Sequence, residues 1–322
     1  MTRFGRGSLA LLPRIVEELD PSAVACVADA AVAALHPLPL DVPTLPVPPG
    51  ESSKTLDGWR SLIDSFAGLK LDRDALVVAF GGGVVCDLAG FCAAAWLRGV
   101  SWVAVPTTLL AQVDAAHGGK TGVDHPAAKN LVGAFHPPAE TLVDPALLAT
   151  LPGREVRGGL AEVVKHGVIA APALLARVGR DDPADFVEEA ARVKLDIVGR
   201  DPRERGERRL LNLGHTLGHA VEHASGYSLH HGEAVAVGLR GACRIAEAHC
   251  GFGDRAGVEE ALDRCGLPAT VKVAAGALRE ALAHDKKRSG GRTRWVLPRA
   301  LGEVAVFDDV PEALVSAALT GI

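Results

Sequence analysis

Ala75-Leu76-Val77-Val78-Ala79-Phe80 has no polar or charged side chain and runs straight into Gly81-Gly82-Gly83. An unbroken apolar run of strand length marks a strand buried on both faces, the habit of a parallel sheet covered by helices. Glycines after such a strand, with a helix expected over 87–96, form the arrangement in which backbone N–H groups and a helix N-terminus hold a phosphate or pyrophosphate. The run is not G-x-G-x-x-G, so a tight turn that needs glycine remains the alternative. Two more apolar strands are expected, over 23–28 ending at Asp29 and over 100–105 leading into Pro106-Thr107-Thr108. Repeated strand–loop–helix units predict a parallel α/β sheet with ligands at the carboxyl ends of its strands. There Asp29 takes the ribose hydroxyls of a nucleotide or caps a helix.

Around this core the pattern predicts a helix from Leu9 to Leu19, begun or interrupted at Pro13, and a loop in the Pro-rich piece from Pro37 to Pro49. Ser52 or Ser53 is expected to cap a helix burying Leu56, Trp59, Leu62, Ile63 and Phe66, with Glu51 and Lys54 at its entrance. Residues 109–138 hold Asp114, Lys120, Lys129 and Asn130 around two glycine-rich breaks and offer little that packs, which suits a site better than a linker. The first domain, 1–150, then ends, and 151–322 turns helical: 154–170, 183–200, 207–225, 231–250, 255–265 and 274–284. A small hairpin follows over 294–297 and 304–307, then a short helix after Pro311.

Five of the twelve histidines lie between His215 and His231. His215, His219 and His223 recur every four residues and line one helical stripe, and His230-His231-Gly232-Glu233 opens the next helix after a turn. A histidine from each of two antiparallel helices can meet at one point, and neutral imidazole suits Zn²⁺ or Co²⁺. A third ligand is needed. Glu162, which shares a helical face with Lys165, is the acid chosen for an open Glu-His-His centre, although the two could form a plain surface ion pair. H-T-L-G-H lacks the glutamate that a zincin protease uses as base, so peptide hydrolysis is not expected.

Lysine use points the same way. Only nine of 34 basic residues are Lys, and seven of them (54, 120, 129, 165, 194, 286, 287) fall in segments dense in Gly, His, Asp or Asn. Their clustering argues for an anionic-substrate site. A net charge of −5 argues against a nucleic-acid surface, and no apolar run reaches membrane length. Acids come too early in MTRFGRGSLALLPRIVEEL for a signal peptide, and six cysteines without C-x-x-C spacing read as buried hydrophobes in a reducing cytoplasm.

Taken together, GESSKT, GGGVVCDLAGF, WLRGV, VPTTLLAQVD, GGKTG, KNLVGAFHPP, LAEVVKHG, LNLGHTLGHA, HGEAVAVG and DKK occur in the order in which they occur in the 3-dehydroquinate synthases. The chain resembles that family, within the sugar phosphate cyclases, from about Gly5 to Phe307. The resemblance implies an N-terminal Rossmann-like NAD-binding domain, a mainly α-helical C-terminal metal-binding domain and a homodimer. Matched by motif, it places the metal on Glu162, His215 and His231. It places NAD on Asp29, Glu51, Lys54, Gly82, Gly83, Val84, Asp87, Thr107 and Thr108. Substrate contacts fall on Asp114, Lys120, Lys129, Asn130, Lys165, Lys194, Arg208, Asn212, His219 and the Lys286-Lys287 pair. Arg98 matches an arginine that reaches the partner subunit's phosphate pocket.

The implied reaction is transient oxidation by NAD⁺, loss of phosphate, return of the hydride, ring opening and an intramolecular aldol closure. Lys120, Lys165 and Asn130 would hold the phosphate and His219 would move a proton. Lys194 and Arg208 would take the substrate carboxylate. Cys86, His117 and His166 depart from the family's usual residues, the strand before Gly5 is expected to be largely missing, and the link from Ile169 to Lys194 is trimmed. Other readings are a cyclase of the aminodehydroquinate, valiolone or inosose type, a metal-dependent polyol dehydrogenase, and a non-catalytic paralogue.

Overall fold

A computed structural model describes residues 1–288 and 293–322, with the side chains of 275 and 284–288 left out; Lys286 and Lys287 therefore lie outside the described side chains. The chain divides into two compact units, Met1–Pro152 and Gly153–Ile322.

In the first unit the strands are β1 (Thr2–Phe4), β2 (Val24–Asp29), β3 (Thr44–Val47), β4 (Leu76–Gly81), β5 (Ser101–Pro106), β6 (Lys120–His125), β7 (Ala128–Phe135) and β8 (Glu140–Val143). Its helices are α1 (Leu12–Leu19), α2 (Ala30–Leu35), α3 (Leu56–Gly68) and α4 (Gly83–Ala95). Six strands pair in parallel in the order β1-β8-β5-β4-β2-β3. Alternate residues serve opposite faces. Val27, Val77 and Ala79 pack with Leu62, Phe66, Leu88 and Cys92 of α3 and α4, whereas Cys26, Val78 and Phe80 pack with Leu12 and Ile15 of α1. The chain steps from β2 outward to β3, then returns to β4 on the other side of β2. This reversal puts the carboxyl ends of β2 and β4 at a topological switch point, where open α/β sheets bind ligands.

Several expectations need correcting. The Pro-rich piece is not all loop: β3 lies within it, registered from Cys26↔Thr44 to Asp29↔Val47, and Pro46 is tolerated because β3 is an edge strand. Residues 2–4 suffice to pair with β8, so the N-terminal edge strand is present. Helix α4 starts at Gly83 rather than 87, since Gly82 itself is the N-cap. Helix α3 is capped by Thr55, whose Oγ1 accepts the Gly58 N–H at 3.0 Å, and not by Ser52 or Ser53. It buries Leu62 and Phe66, while Leu56 is exposed. Residues 120–135 do pack: β6 and β7 form an antiparallel hairpin that buries Val123 and Thr121.

The second unit holds α5 (Gly153–Ile169), α6 (Leu174–Arg177), α7 (Val187–Arg200), α8 (His215–Ala224), α9 (His231–Cys250), α10 (Arg255–Arg264) and α11 (Ala275–Arg288). An antiparallel pair, β9 (Trp295–Ala300) with β10 (Glu303–Phe307), and α12 (Glu312–Thr320) complete it. Residues 158–169 of α5 are buried on every side, as in a helix at the centre of a bundle. The expected helix 207–225 is broken: a 3₁₀ turn over Glu207–Asn212 precedes α8, because Gly214 adopts a left-handed φ of 78° that no helix continues through. Likewise a 3₁₀ turn over Pro183–Asp185 precedes α7, which starts at Val187. The link from Ile169 to Lys194 forms α6, with Leu174 and Leu175 buried.

Candidate metal centre and nucleotide loops

Three helices of the second unit meet where their side chains are smallest. A Cβ on Gly232, the second residue of α9, would lie 2.1 Å from the Gly158 carbonyl oxygen of α5, so only a glycine lets these backbones touch. Helix α8 lies against α9 through Gly214 beside Gly238 and Gly218 beside Ala234. Arg154 fastens the start of α9 by a bidentate pair to Glu233 at 2.7 and 2.8 Å, and Glu233 accepts the His230 N–H at 2.9 Å.

This packing brings Glu162, one turn beyond Gly158, to His215 and His231. Glu162 Oε1 lies 3.6 Å from His215 Nε2 and 3.4 Å from His231 Nε2. The three donors fall within 4.8 Å of one another. A tetrahedral zinc with bonds of about 2.1 Å separates its ligand atoms by about 3.4 Å, so the donor set fits such an ion in spacing and chemistry. Both imidazoles also have their far nitrogen held: His215 Nδ1 is 3.1 Å from the Leu213 carbonyl and His231 Nδ1 is 3.4 Å from Glu222 Oε1. Glu162 Oε2 pairs with Lys165, and both side chains are 1% exposed, so this is no surface ion pair. The His219 ring stands 5.4 Å from that of His215 and 6.4 Å from that of His231. Burial, reinforced by the Lys165 cation, drives His215 down to about 3. Burial pushes His231 the same way, but Glu162 and Glu222 outweigh it and raise that imidazole to about 10.

The sign of the pH dependence follows. Without metal, the charged His231 contributes stability that is complete below its unfolded value of 6.5 and fades as pH rises through about 10. At neutral pH the metal-free centre holds one proton on His231 and none on His215. Zinc binding followed calorimetrically in buffers of different ionisation enthalpy should therefore release about one proton per ion at pH 7; none, or two, contradicts this assignment.

On the same unit, the Asp201 carboxylate accepts the N–H groups of Arg205, Gly206 and Arg208, which ties the turn before the 3₁₀ segment. Arg208 is 2% exposed and donates to the Pro202 carbonyl at 2.6 Å; Lys194 on α7 is 9% exposed. Asn212 donates to Glu204 at 2.7 Å.

In the first unit most of the expected cofactor residues follow the carboxyl ends of β2, β4 and β5, while Glu51 and Lys54 follow β3. Asp29 ends β2 and caps α2, its Oδ1 alone accepting from Ala31 and Val32 at 2.9 and 3.2 Å. A Cβ on Gly81 would lie 3.2 Å from that of Asp29, and one on Gly82 would lie 2.8 Å from Thr108 Cγ2, so these loops adjoin. Helix α4, with Gly83, Val84 and Asp87 in its first turns, has no side-chain cap, and its N-terminal N–H groups carry the partial positive charge that favours anions. The Thr107 N–H donates to the Gly81 carbonyl, while its buried hydroxyl has no hydrogen-bond partner among the described residues. Thr108 Oγ1 caps the following turn at Ala111. Lys54, 5% exposed, donates to Asp87 at 2.5 Å and to Asn130 at 2.6 Å. Burial would lower its pKa, but the Asp87 carboxylate prevails and raises it. Asn130 holds a φ of 53° and donates its N–H to Asp124 at 2.7 Å.

Glu51 lies in a 3₁₀ turn before α3, Asp114 in a π-helical turn over Ala111–Ala115, Lys120 exposed at the start of β6, and Lys129 half-buried on β7. Leu97 and Arg98 are consecutive non-glycine residues at positive φ, 49° and 73°, a strained turn that leaves Arg98 exposed. The three departures from the family's usual residues are all buried. Cys86 is buried with its thiol pushed up by burial, His117 Nε2 meets the Gln112 carbonyl at 2.8 Å, and His166 Nδ1 meets that of Ala190 at 2.9 Å. Sequence reasoning missed Glu222, although its place seven residues after His215 puts it on the stripe of His215 and His219.

Two family models match the chain: "3-dehydroquinate synthase N-terminal" over residues 44–158 and "3-dehydroquinate synthase C-terminal" over 159–288. The chain is 47% identical to a 3-dehydroquinate synthase of Xylella fastidiosa, over 92% of this chain and 80% of that one. It is 41% identical to a 3-dehydroquinate synthase of Nostoc punctiforme, over 98% and 92%. Among solved structures it is similar to a 2-epi-5-epi-valiolone synthase of Streptomyces hygroscopicus with NAD⁺ and Zn²⁺ bound, at a TM-score of 0.90, 29% identity and coverage of 99% and 95%.

Proposed function

The chain belongs to the 3-dehydroquinate synthase family, and from that premise we propose that it converts 3-deoxy-D-arabino-heptulosonate 7-phosphate to 3-dehydroquinate and phosphate, a carbon–oxygen lyase reaction of the shikimate pathway. The observation that carries this reading is the Glu162-His215-His231 set, a buried carboxylate with two half-buried imidazoles whose Nε2 atoms turn to one of its oxygens. Bound NAD supplies a hydride acceptor that returns what it takes, and a bound Zn²⁺ or Co²⁺ supplies Lewis acidity, so the net reaction is not a redox one.

The chain's own residues do the rest. Glu162 divides its oxygens, Oε1 toward the imidazoles and Oε2 toward Lys165, which keeps a cation beside the centre. Lys165, Lys120 and Asn130 hold the phosphate and steady it as a leaving group. His219, one turn past His215 and clear of the ligand set, moves the proton. Lys194 and Arg208 are buried cations suited to the substrate carboxylate, the guanidinium fork matching it in a bidentate way. Asp114, Lys129, Asn212 and the Lys286-Lys287 pair bind the remaining hydroxyls and phosphate oxygens. NAD falls to Asp29, Glu51, Lys54, the Gly82-Gly83-Val84 turn, Asp87, Thr107 and Thr108. The chain acts as a cytoplasmic homodimer, with Arg98 contributed in trans. Exposed Leu97, Leu131 and Phe135 near this turn and on β7 support a covered face, and six cysteines without a disulfide suit a reducing compartment.

Two measurements test the reading. Purified protein given heptulosonate phosphate should release phosphate with no net NADH, and should release none from sedoheptulose 7-phosphate. Release only from the latter would reassign the chain to a valiolone-type cyclase, and stoichiometric NADH to a polyol dehydrogenase. Thr107→Val removes a buried hydroxyl that no described residue satisfies. It should leave thermal stability unchanged or higher and weaken NAD binding about tenfold, the worth of one hydrogen bond. Unchanged NAD affinity would remove Thr107 from the cofactor site.

A further inference from the structure

Helices α8 and α9 run past each other in a register that steps four residues at a time. Gly214 faces Gly238, Gly218 faces Ala234, and the next step along α8 brings Glu222 opposite the start of α9. There its carboxylate, 4% exposed, sits 3.4 Å from His231 Nδ1. A carboxylate is costly to bury unless it is hydrogen-bonded. The two imidazoles of the centre need the same help, because a ligating nitrogen is aimed only when the opposite nitrogen is held. For His215 the Leu213 carbonyl holds it. His231 is the first residue of α9, entered from a turn.

We propose that Glu222 is the positioning residue of the metal centre: it holds the Nδ1–H of His231 and so presents Nε2 to the ion. This inference rests on the reading of Glu162, His215 and His231 as metal ligands. Glu222 stands outside the ligand set, and its part is to fix a ring tautomer and direction.

The test compares wild type with Glu222→Ala and Glu222→Gln. Zinc affinity is measured by competition with a chromophoric chelator, the visible ligand-field bands are recorded with one equivalent of Co²⁺, and the melting temperature of each metal-free protein is followed alongside. Glu222→Ala should bind zinc about 10–100-fold more weakly and show altered cobalt bands. Glu222→Gln, whose amide oxygen still accepts the Nδ1–H, should recover part of both, and it keeps the side-chain shape should the alanine variant fail to fold. Wild-type affinity and bands in Glu222→Ala, or a Glu222→Gln no better than alanine, would overturn the proposal. Failure of the underlying reading shows differently, because wild-type protein then binds no ion at all.

Discussion

Gly232→Ala should destabilise the protein by at least about 2 kcal/mol and strip most of its metal affinity, although Gly232 binds nothing itself. The added Cβ would stand 2.1 Å from the Gly158 carbonyl and 2.4 Å from its Cα. Those are backbone atoms of a buried helix, so no rotamer change relieves the overlap and α9 must move off α5. His231 rides on the residue before Gly232 and Glu162 one turn beyond Gly158, so the movement pulls two ligands apart. The internal control is Gly257→Ala on α10, where a Cβ meets nothing within 4 Å. There the substitution should raise stability by about 0.5–1 kcal/mol through helix propensity and lost unfolded-state freedom. Melting curves and a zinc titration of both variants decide. If Gly232→Ala melts and binds like Gly257→Ala, the helix crossing does not build the centre.

Glu162→Ala should lower phosphate release by at least about 10³-fold, the equivalent of the several kcal/mol a Lewis acid supplies. It should also cost the metal-free protein about 3–5 kcal/mol, because the Lys165 ammonium, 1% exposed, loses its carboxylate in the interior. Lys165→Met separates the two functions. The carboxylate and both imidazoles remain, so the purified variant should keep about one ion per chain while turnover collapses for want of a phosphate-binding cation. Metal analysis by mass spectrometry beside a phosphate assay distinguishes the pair. Loss of metal from Lys165→Met would mean that Lys165 organises the centre rather than the substrate.

Much of this architecture was readable from local chemistry. The apolar run ending in Gly81-Gly82-Gly83 forecast a buried parallel strand and an adjoining helix N-terminus, because burial on both faces leaves no room for polar alternation. The four-residue histidine spacing forecast one stripe of α8, since helical periodicity is a property of the backbone. What the sequence hid depends on neighbours distant in the chain. The Pro-rich piece from Pro37 to Pro49 read as a loop, yet it holds β3, an edge whose outer side needs no donor. Gly214 reads as a tolerable glycine in a helix, and only the backbone approach of α9 shows why it must end one. Glu222 looks like any polar residue on an amphipathic helix until α9 sets His231 against it. Gly158 and Gly232 are likewise unremarkable until they touch.

The most direct trial of a Glu162-His215-His231 centre serving a synthase is phosphate release from heptulosonate phosphate by chelator-stripped protein, before and after one equivalent of Zn²⁺ or Co²⁺, with NADH absorbance followed throughout. Stripped protein should release no phosphate, one equivalent should restore full release, and NADH should not accumulate. Undiminished release from the stripped protein would contradict it.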